Sequence, residues 1–187
     1  MSQVASSLLQ PERTALVVVD LQEKLMPAIE SRERVLRNSL LLLKLAEVLK
    51  LPVLLTTQYR KGLGEILPEV RAAAPGAVPL DKVAFGCFGD AAFGERLAGL
   101  GRDQLLVTGV EAHICVCQTV LGGLDKGYTV HVVSDAVGSR TSENRAVGLA
   151  RMERAGALVS SAEMALYELL GRSDREAFKQ ILPLLKG

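Results

Sequence analysis

The sequence predicts an α/β domain in three layers, an α/β/α sandwich with a parallel sheet in the middle. Three observations point there. Apolar runs of strand length alternate with longer runs of helical period. The strand-like runs are β-branched and uninterrupted by charge, as strands buried on both faces should be. The 187 residues, 49% of them apolar, suit one domain spanning 1–187, and a chain of this size buries about 70% of its unfolded surface. Alternating strands and helices imply right-handed crossovers, with helices on both faces of the sheet.

Ala15–Val19 (ALVVV) is the first strand. A helix follows over Ser31–Lys50, with Val35, Leu36, Leu40, Leu43 and Leu49 near one stripe, and Pro52 stops it. Val53–Thr56 is the second strand. The stretch from Lys61 to Pro79 reads as a long loop, and long loops in compact domains are usually functional. Val78–Val83 is a short third strand, and Ala91–Leu100 a helix with Gly101 placed to cap it. Leu105–Thr108 is the fourth strand, Ile114–Lys126 a helix ended by Gly127, and Thr129–Val133 the fifth strand. Thr141 is placed to cap a helix running to about Ala155, with Glu143 in its first turn. Ala157–Val159 is the sixth strand, and the tail from Ala162 is helical, broken near Gly171.

Lys and Arg number 22 and Asp and Glu 21, a net charge of +1. That balance argues against a broad electrostatic footprint for nucleic acid or anionic lipid. High apolar content argues against disorder. No apolar run approaches the ~20 residues of a membrane helix, and the opening MSQVASSLLQPER has no basic n-region or apolar h-region. Three cysteines give no disulfide framework, so a reducing cytoplasm is the expected compartment.

In open parallel sheets ligands bind outside the carboxyl ends of the strands, and three reactive side chains fall there. Asp20 follows the first strand, Lys82 ends the third, and Cys115 comes after the fourth, where the next helix begins. A helix N-terminus and a nearby cation would lower the thiol pKa. A carboxylate can take the thiol proton and return it to a leaving group. An ammonium can hold that carboxylate charged, and backbone N–H groups at the helix start can hold an oxyanion. Taken singly, each has a plainer reading: Cys115 as a small buried hydrophobe, Asp20 as a turn cap, Lys82 as a solvated charge.

VVVDLQEKL, the Lys82 segment followed by Phe85, and TGVEAHICV resemble the isochorismatase-like cysteine hydrolases, from about Thr14 to Tyr167. TTQYRKGLG and SDAVGSRTSENRAVGLARMERAGA also find counterparts in the subgroup of uncharacterised isochorismatase-domain hydrolases. The resemblance implies a Rossmann-like, six-stranded parallel sheet of order 3-2-1-4-5-6 and a triad of Asp20, Lys82 and Cys115. It implies a cis peptide between Val110 and Glu111, an oxyanion hole from the N–H groups of Glu111 and Cys115, and self-association into a homo-oligomer.

Two departures narrow the chemistry. Nicotinamidases of this family carry a metal-binding Asp-x-His after the second strand, where this chain has Thr56, Thr57, Gln58 and Tyr59. Isochorismatases proper, by resemblance, lack a cysteine at the nucleophile position. No metal and no cofactor is expected. The thiols of Cys115 and Cys117 would diverge once the helix begins, which leaves Cys117 to packing and Cys87 as a loop or core thiol. Gly62-Leu-Gly64 lacks the third glycine of a dinucleotide loop.

Gln22, Tyr59, Phe85 and Phe88 are candidates to shape a substrate pocket, with packing the plainer role for the two Phe. His113 either contacts substrate or hydrogen-bonds a loop, and His131 is expected to be a satisfied structural histidine. Arg140 either binds an anionic substrate or pairs with Asp135. The reading is a metal-independent cysteine hydrolase of a small amide or other C–N bond, with a small-molecule substrate. The alternative is a catalytically silent member acting as an oligomeric interaction protein.

Overall fold

The computed structural model describes residues 8–185. The strands are β1 (Thr14–Val19), β2 (Val53–Gln58), β3 (Leu80–Lys82), β4 (Gln104–Val110), β5 (Thr129–Gly138) and β6 (Leu158–Ser160). The helices are α1 (Arg32–Leu49), α2 (Arg60–Leu63), α3 (Pro68–Ala73), α4 (Ala91–Ala98), α5 (Cys117–Asp125), α6 (Ser142–Arg154), α7 (Ala162–Leu170) and α8 (Glu176–Leu185). All strands pair in parallel, in the order β3-β2-β1-β4-β5-β6.

β1 lies at the centre with every residue buried. Its side chains alternate between two cores, as the strand period requires. Leu16 and Val18 face Leu42, Leu45, Leu166 and Ile181 on the α1, α7 and α8 side. Ala15, Val17 and Val19 face Phe93, Leu97, Val120 and Met152 on the α4, α5 and α6 side. A strand buried on both faces has no polar alternation, which is why ALVVV reads as it does.

Three segments differ from the sequence expectation. The stretch 61–79 holds two short helices, α2 and α3, where a loop was expected. Pro68 sits in the first turn of α3 with its φ already helical, and Val70 is buried against the core. Six residues are too few to show a helical period. β5 runs on to Gly138 instead of ending at Val133, through an irregularity: Val107 pairs with Val132 but Gly109 with Val137. Side chains hold the carbonyls that leave the ladder there. Arg145 donates to Ser134 and Val137, Asn38 to Asp135 at 2.9 Å, and Thr108 to Ala136 at 2.6 Å. Bulges of this kind sit characteristically next to active sites. The helix expected from Ile114 starts instead as a wide turn, Ala112–Val116, with the Val116 N–H reaching the Glu111 carbonyl at 3.1 Å, before α5 begins.

His131 corrects another expectation. It is buried in β5, and its Nε2 has no hydrogen-bond partner among the described residues. Burial pushes its pKa down, opposed in part by Glu168. The folded ring therefore takes up a proton less readily than the unfolded chain, which does so near pH 6.5. The unfolded state binds more protons below that pH, so stability falls as pH drops from about 6.5 toward the lowered folded value. Melting curves between pH 7.5 and 5.5 are expected to show this loss, and His131→Leu to flatten it. An unchanged slope in the variant would assign the loss elsewhere.

Candidate active site

β1 ends on Asp20, which adopts a left-handed backbone (φ 52°) uncommon for a residue with a side chain. The turn aims a wholly buried carboxylate across the sheet end. Oδ2 accepts from Lys82 Nζ at 2.7 Å and Oδ1 from Thr56 Oγ1 at 2.7 Å. Lys82, at the end of β3, is 3% exposed. Its ammonium also donates to Gln58 Oε1 at 2.8 Å and to the Phe85 carbonyl at 3.0 Å. Three N–H donors thus meet three acceptors, the condition under which a buried ion pair is tolerated.

Cys115 joins them from the turn after β4 and is 6% exposed. Two glycines allow the approach. A side chain at Gly109 (φ 118°) would begin 2.0 Å from the Val19 carbonyl oxygen, immediately before Asp20. One at Gly148 of α6 would begin 2.8 Å from the Ala112 oxygen, so α6 packs directly on the turn that carries Cys115. The Gly of the Gly-Val-x-x-x-x-Cys pattern is thus a close-packing requirement. The Val110–Glu111 peptide is cis.

The thiol is not pre-ionised, contrary to expectation. Burial, reinforced by the negative charge of Asp20 and opposed by Lys82, pushes Cys115 up to about 12. The resting arrangement is a neutral thiol beside a carboxylate that can receive its proton. The thiol must lose its proton as it reacts.

The other candidates separate. Gln22 is a correction: it is buried, its Nε2 donating to the carbonyls of Gln58 (3.1 Å) and Gly64 (2.8 Å) and its Oε1 accepting from the Gln58 N–H (2.7 Å). It clamps the ends of β1 and β2 together and shapes no pocket wall. Phe88 is the second correction: it is partly buried, its ring packing on Phe93 and Tyr128 at 5.1 and 5.9 Å between centroids, against the core. Tyr59 and Phe85 are 51% and 55% exposed and flank Lys82. The Tyr59 N–H donates to the Lys82 carbonyl at 2.8 Å, and its ring lies where a side chain at Gly62 would be. His113 is half-buried, its Nδ1 lying 3.0 Å from Ser139 Oγ. Arg140 pairs with Glu111 at 2.9 Å and not with Asp135, whose carboxylate instead accepts from the Ala162 N–H at 2.8 Å. Cys117 is buried in the core cluster under α5, within reach of the charge of Arg151 of α6. No group of three or more His, Cys, Asp or Glu among the described residues is placed to hold a metal.

Thr56 and Gln58 are the site residues that sequence reasoning missed. They stand where Asp-x-His would be, and alternation on β2 puts both on the Asp20–Lys82 side. Thr56→Val keeps the shape and removes the donor to Asp20 Oδ1. We expect it to destabilise the fold by about 1–3 kcal/mol. Thr57→Val, which loses only a partly buried contact to Asp81, should cost less in denaturant unfolding. Equal losses would show that Asp20 does not depend on Thr56.

Known proteins carry the same architecture. Residues 14–164 match the isochorismatase domain. The mouse isochorismatase domain-containing protein 2A is 36% identical over 94% of this chain and 84% of its own length. The Phytophthora sojae secreted isochorismatase effector Isc1 is also 36% identical, over 94% and 86%. Among solved structures, the MAR1 ribonuclease of Caenorhabditis elegans superposes with a TM-score of 0.91 at 34% identity, covering 96% of this chain and 93% of its own. The Escherichia coli YcaC gene product, described as an octameric hydrolase of unknown specificity, gives 0.89 at 26%, covering 95% and 90%. No helix among the described residues is long and apolar enough to cross a membrane. A parallel sheet of order 3-2-1-4-5-6, reactive groups gathered at the carboxyl ends of its strands, and a domain match over most of its length together place the chain in the isochorismatase family of hydrolases.

Proposed function

We propose that the chain is a metal-independent cysteine hydrolase acting on a small amide or other C–N bond, with Asp20, Lys82 and Cys115 as its triad. The observation that carries the reading is the buried Asp20–Lys82 pair, 2.7 Å between charged atoms, beside a nearly buried thiol at the carboxyl end of the sheet. Cys115 Sγ attacks the carbonyl carbon while Asp20 takes the thiol proton. The N–H groups of Glu111 and Cys115 receive the oxyanion. As the tetrahedral intermediate collapses, Asp20 returns its proton to the departing nitrogen, and ammonia or an amine leaves a thioester. Water then attacks with Asp20 again as base, releasing the acid and restoring the thiol. Lys82 holds Asp20 in place across the 2.7 Å contact.

Metal independence rests on the donor set at the end of β2. Thr56 and Gln58 are hydroxyl and amide, and both are committed to the Asp20–Lys82 pair. A small-molecule substrate suits a thiol only 6% exposed on a chain of net charge +1 better than a nucleic acid does. Tyr59 and Phe85 are the pocket residues the reading retains. Self-association into a homo-oligomer belongs to it, supported by the octameric YcaC relative. So does a cytoplasmic location, supported by three free thiols. The test is a screen of small carboxamides, ureido acids and carbamoyl compounds for ammonia release, with Cys115→Ser as control. Release that persists in the variant would sink the nucleophile assignment.

A further inference from the structure

Cys87 is a buried nucleophile that the proposed hydrolysis does not use. It lies on the loop between β3 and α4, fully buried, in the same core cluster as Cys115. Two short routes tie it to the triad. Its Sγ is 3.9 Å from Thr56 Oγ1, the hydroxyl that donates to Asp20 at 2.7 Å. Its N–H donates at 3.0 Å to Thr119 Oγ1, which in turn donates at 2.7 Å to the Cys115 carbonyl. Gly86 makes this possible: a side chain there would begin 2.9 Å from Gln118 Cβ, so the loop rests directly on α5. The charges of Asp20 and Lys82 act on both thiols, and Cys87 itself acts on Cys115. Cys117 is acted on by the charge of Arg151 of α6.

We infer that Cys87 is a resolving thiol for Cys115, making the site a reversible disulfide centre under peroxide. The inference rests on Cys115 as the nucleophile, and the chemistry balances. Cys115 Sγ attacks one oxygen of hydrogen peroxide as Asp20 takes the thiol proton. The O–O bond breaks, the departing hydroxide recovers a proton as water, and a sulfenic acid remains. Cys87 Sγ then attacks that sulfur, the S–O bond breaks, and the hydroxyl leaves as a second water with the Cys87 proton. The two sulfurs lose two electrons together, and the peroxide gains them. Without a resolving partner, sulfenic acid proceeds to sulfinic acid, which ordinary thiols do not reverse.

The test uses the full chain, exposed to hydrogen peroxide and then analysed by intact mass and by peptide mapping without reductant. The wild type is expected to lose the mass of two hydrogens and to yield a Cys87–Cys115 link. A Cys117→Ser background makes the mapping unambiguous, because Cys115 and Cys117 share a tryptic peptide. Dithiothreitol should return nearly all Cys115 to an alkylatable thiol. In Cys87→Ser, Cys115 should gain two oxygens instead, and dithiothreitol should recover less than about a tenth of it. Circular dichroism before oxidation checks that the variant is folded; if it is not, the wild-type link alone decides. A link to Cys117, or equal overoxidation with and without Cys87, would overturn the resolving role and leave the hydrolase reading standing. A Cys115 that resists peroxide altogether while all three thiols are present would overturn the inference at its first step, and ammonia release would then judge the hydrolase reading separately.

Discussion

Asp20→Asn is expected to reduce turnover on any amide substrate by about 10²–10⁴-fold while making Cys115 react faster with iodoacetamide. The opposite signs follow from the causes acting on the thiol. After burial, the charge of Asp20 is the largest influence holding Cys115 near 12, and Lys82 works against it. Asparagine removes the repulsion and leaves Lys82 free to favour the thiolate. Alkylation draws on thiolate already present, so it accelerates. Hydrolysis needs a group that accepts the thiol proton and later delivers one to the leaving nitrogen, and asparagine does neither. Asn also tolerates the left-handed backbone that Asp20 adopts, so the variant keeps the local turn. Stopped-flow alkylation and ammonia release on the same preparation check both signs. If the two rates fall together, Asp20 ionises the resting thiol, and the neutral-thiol mechanism is wrong.

The contrast also shows where the sequence is informative. β1 was readable because its burial on both faces leaves an unbroken apolar run, and Asp20 stood out as the first charge after it. Cys115 was found as a thiol at the end of another such strand. Its protonation state was not readable: a helix start and a lysine both argue for a lowered pKa, and the depth of burial that outweighs them belongs to the packed structure. The wide turn at 112–116 depends on a carbonyl, that of Glu111, shared by the N–H groups of Ile114 and Val116, which no residue pattern announces. Gln22 and Phe88 were misplaced for a related reason. Both lie near site residues in sequence, but one side chain is taken up by the backbone of the β2 end and the other by the gap beside Gly122. Thr56 and Gln58 could have been found, because a strand brings alternate residues to one face.

Lys82→Met is expected to destabilise the protein by about 3–5 kcal/mol, lowering the melting temperature by on the order of 10 °C. Methionine fills much of the lysine stem but leaves the buried Asp20 carboxylate without a cation, with neutral donors such as the Thr56 hydroxyl and the Cys115 thiol. The Gln58 amide oxygen and the Phe85 carbonyl lose the same ammonium. Gln58 retains a bond from its Nε2 to the Val83 carbonyl at 2.9 Å, and Phe85 is half exposed, so water can reach its neighbourhood. The unpaired carboxylate therefore dominates the loss. Asp20→Asn in the Lys82→Met background removes that charge and should recover stability relative to Lys82→Met alone, because replacing both members of a buried pair with neutral groups avoids an uncompensated ion. The double variant should nevertheless be inactive, having lost its base. Urea unfolding of the wild type, both single variants and the double variant closes the cycle and gives the coupling energy directly. A double variant less stable than Lys82→Met would mean that the carboxylate is held by groups other than the lysine. Recovery of stability without activity would separate the pair's part in the fold from its part in the proposed chemistry, with Lys82 offsetting the burial of the Asp20 carboxylate.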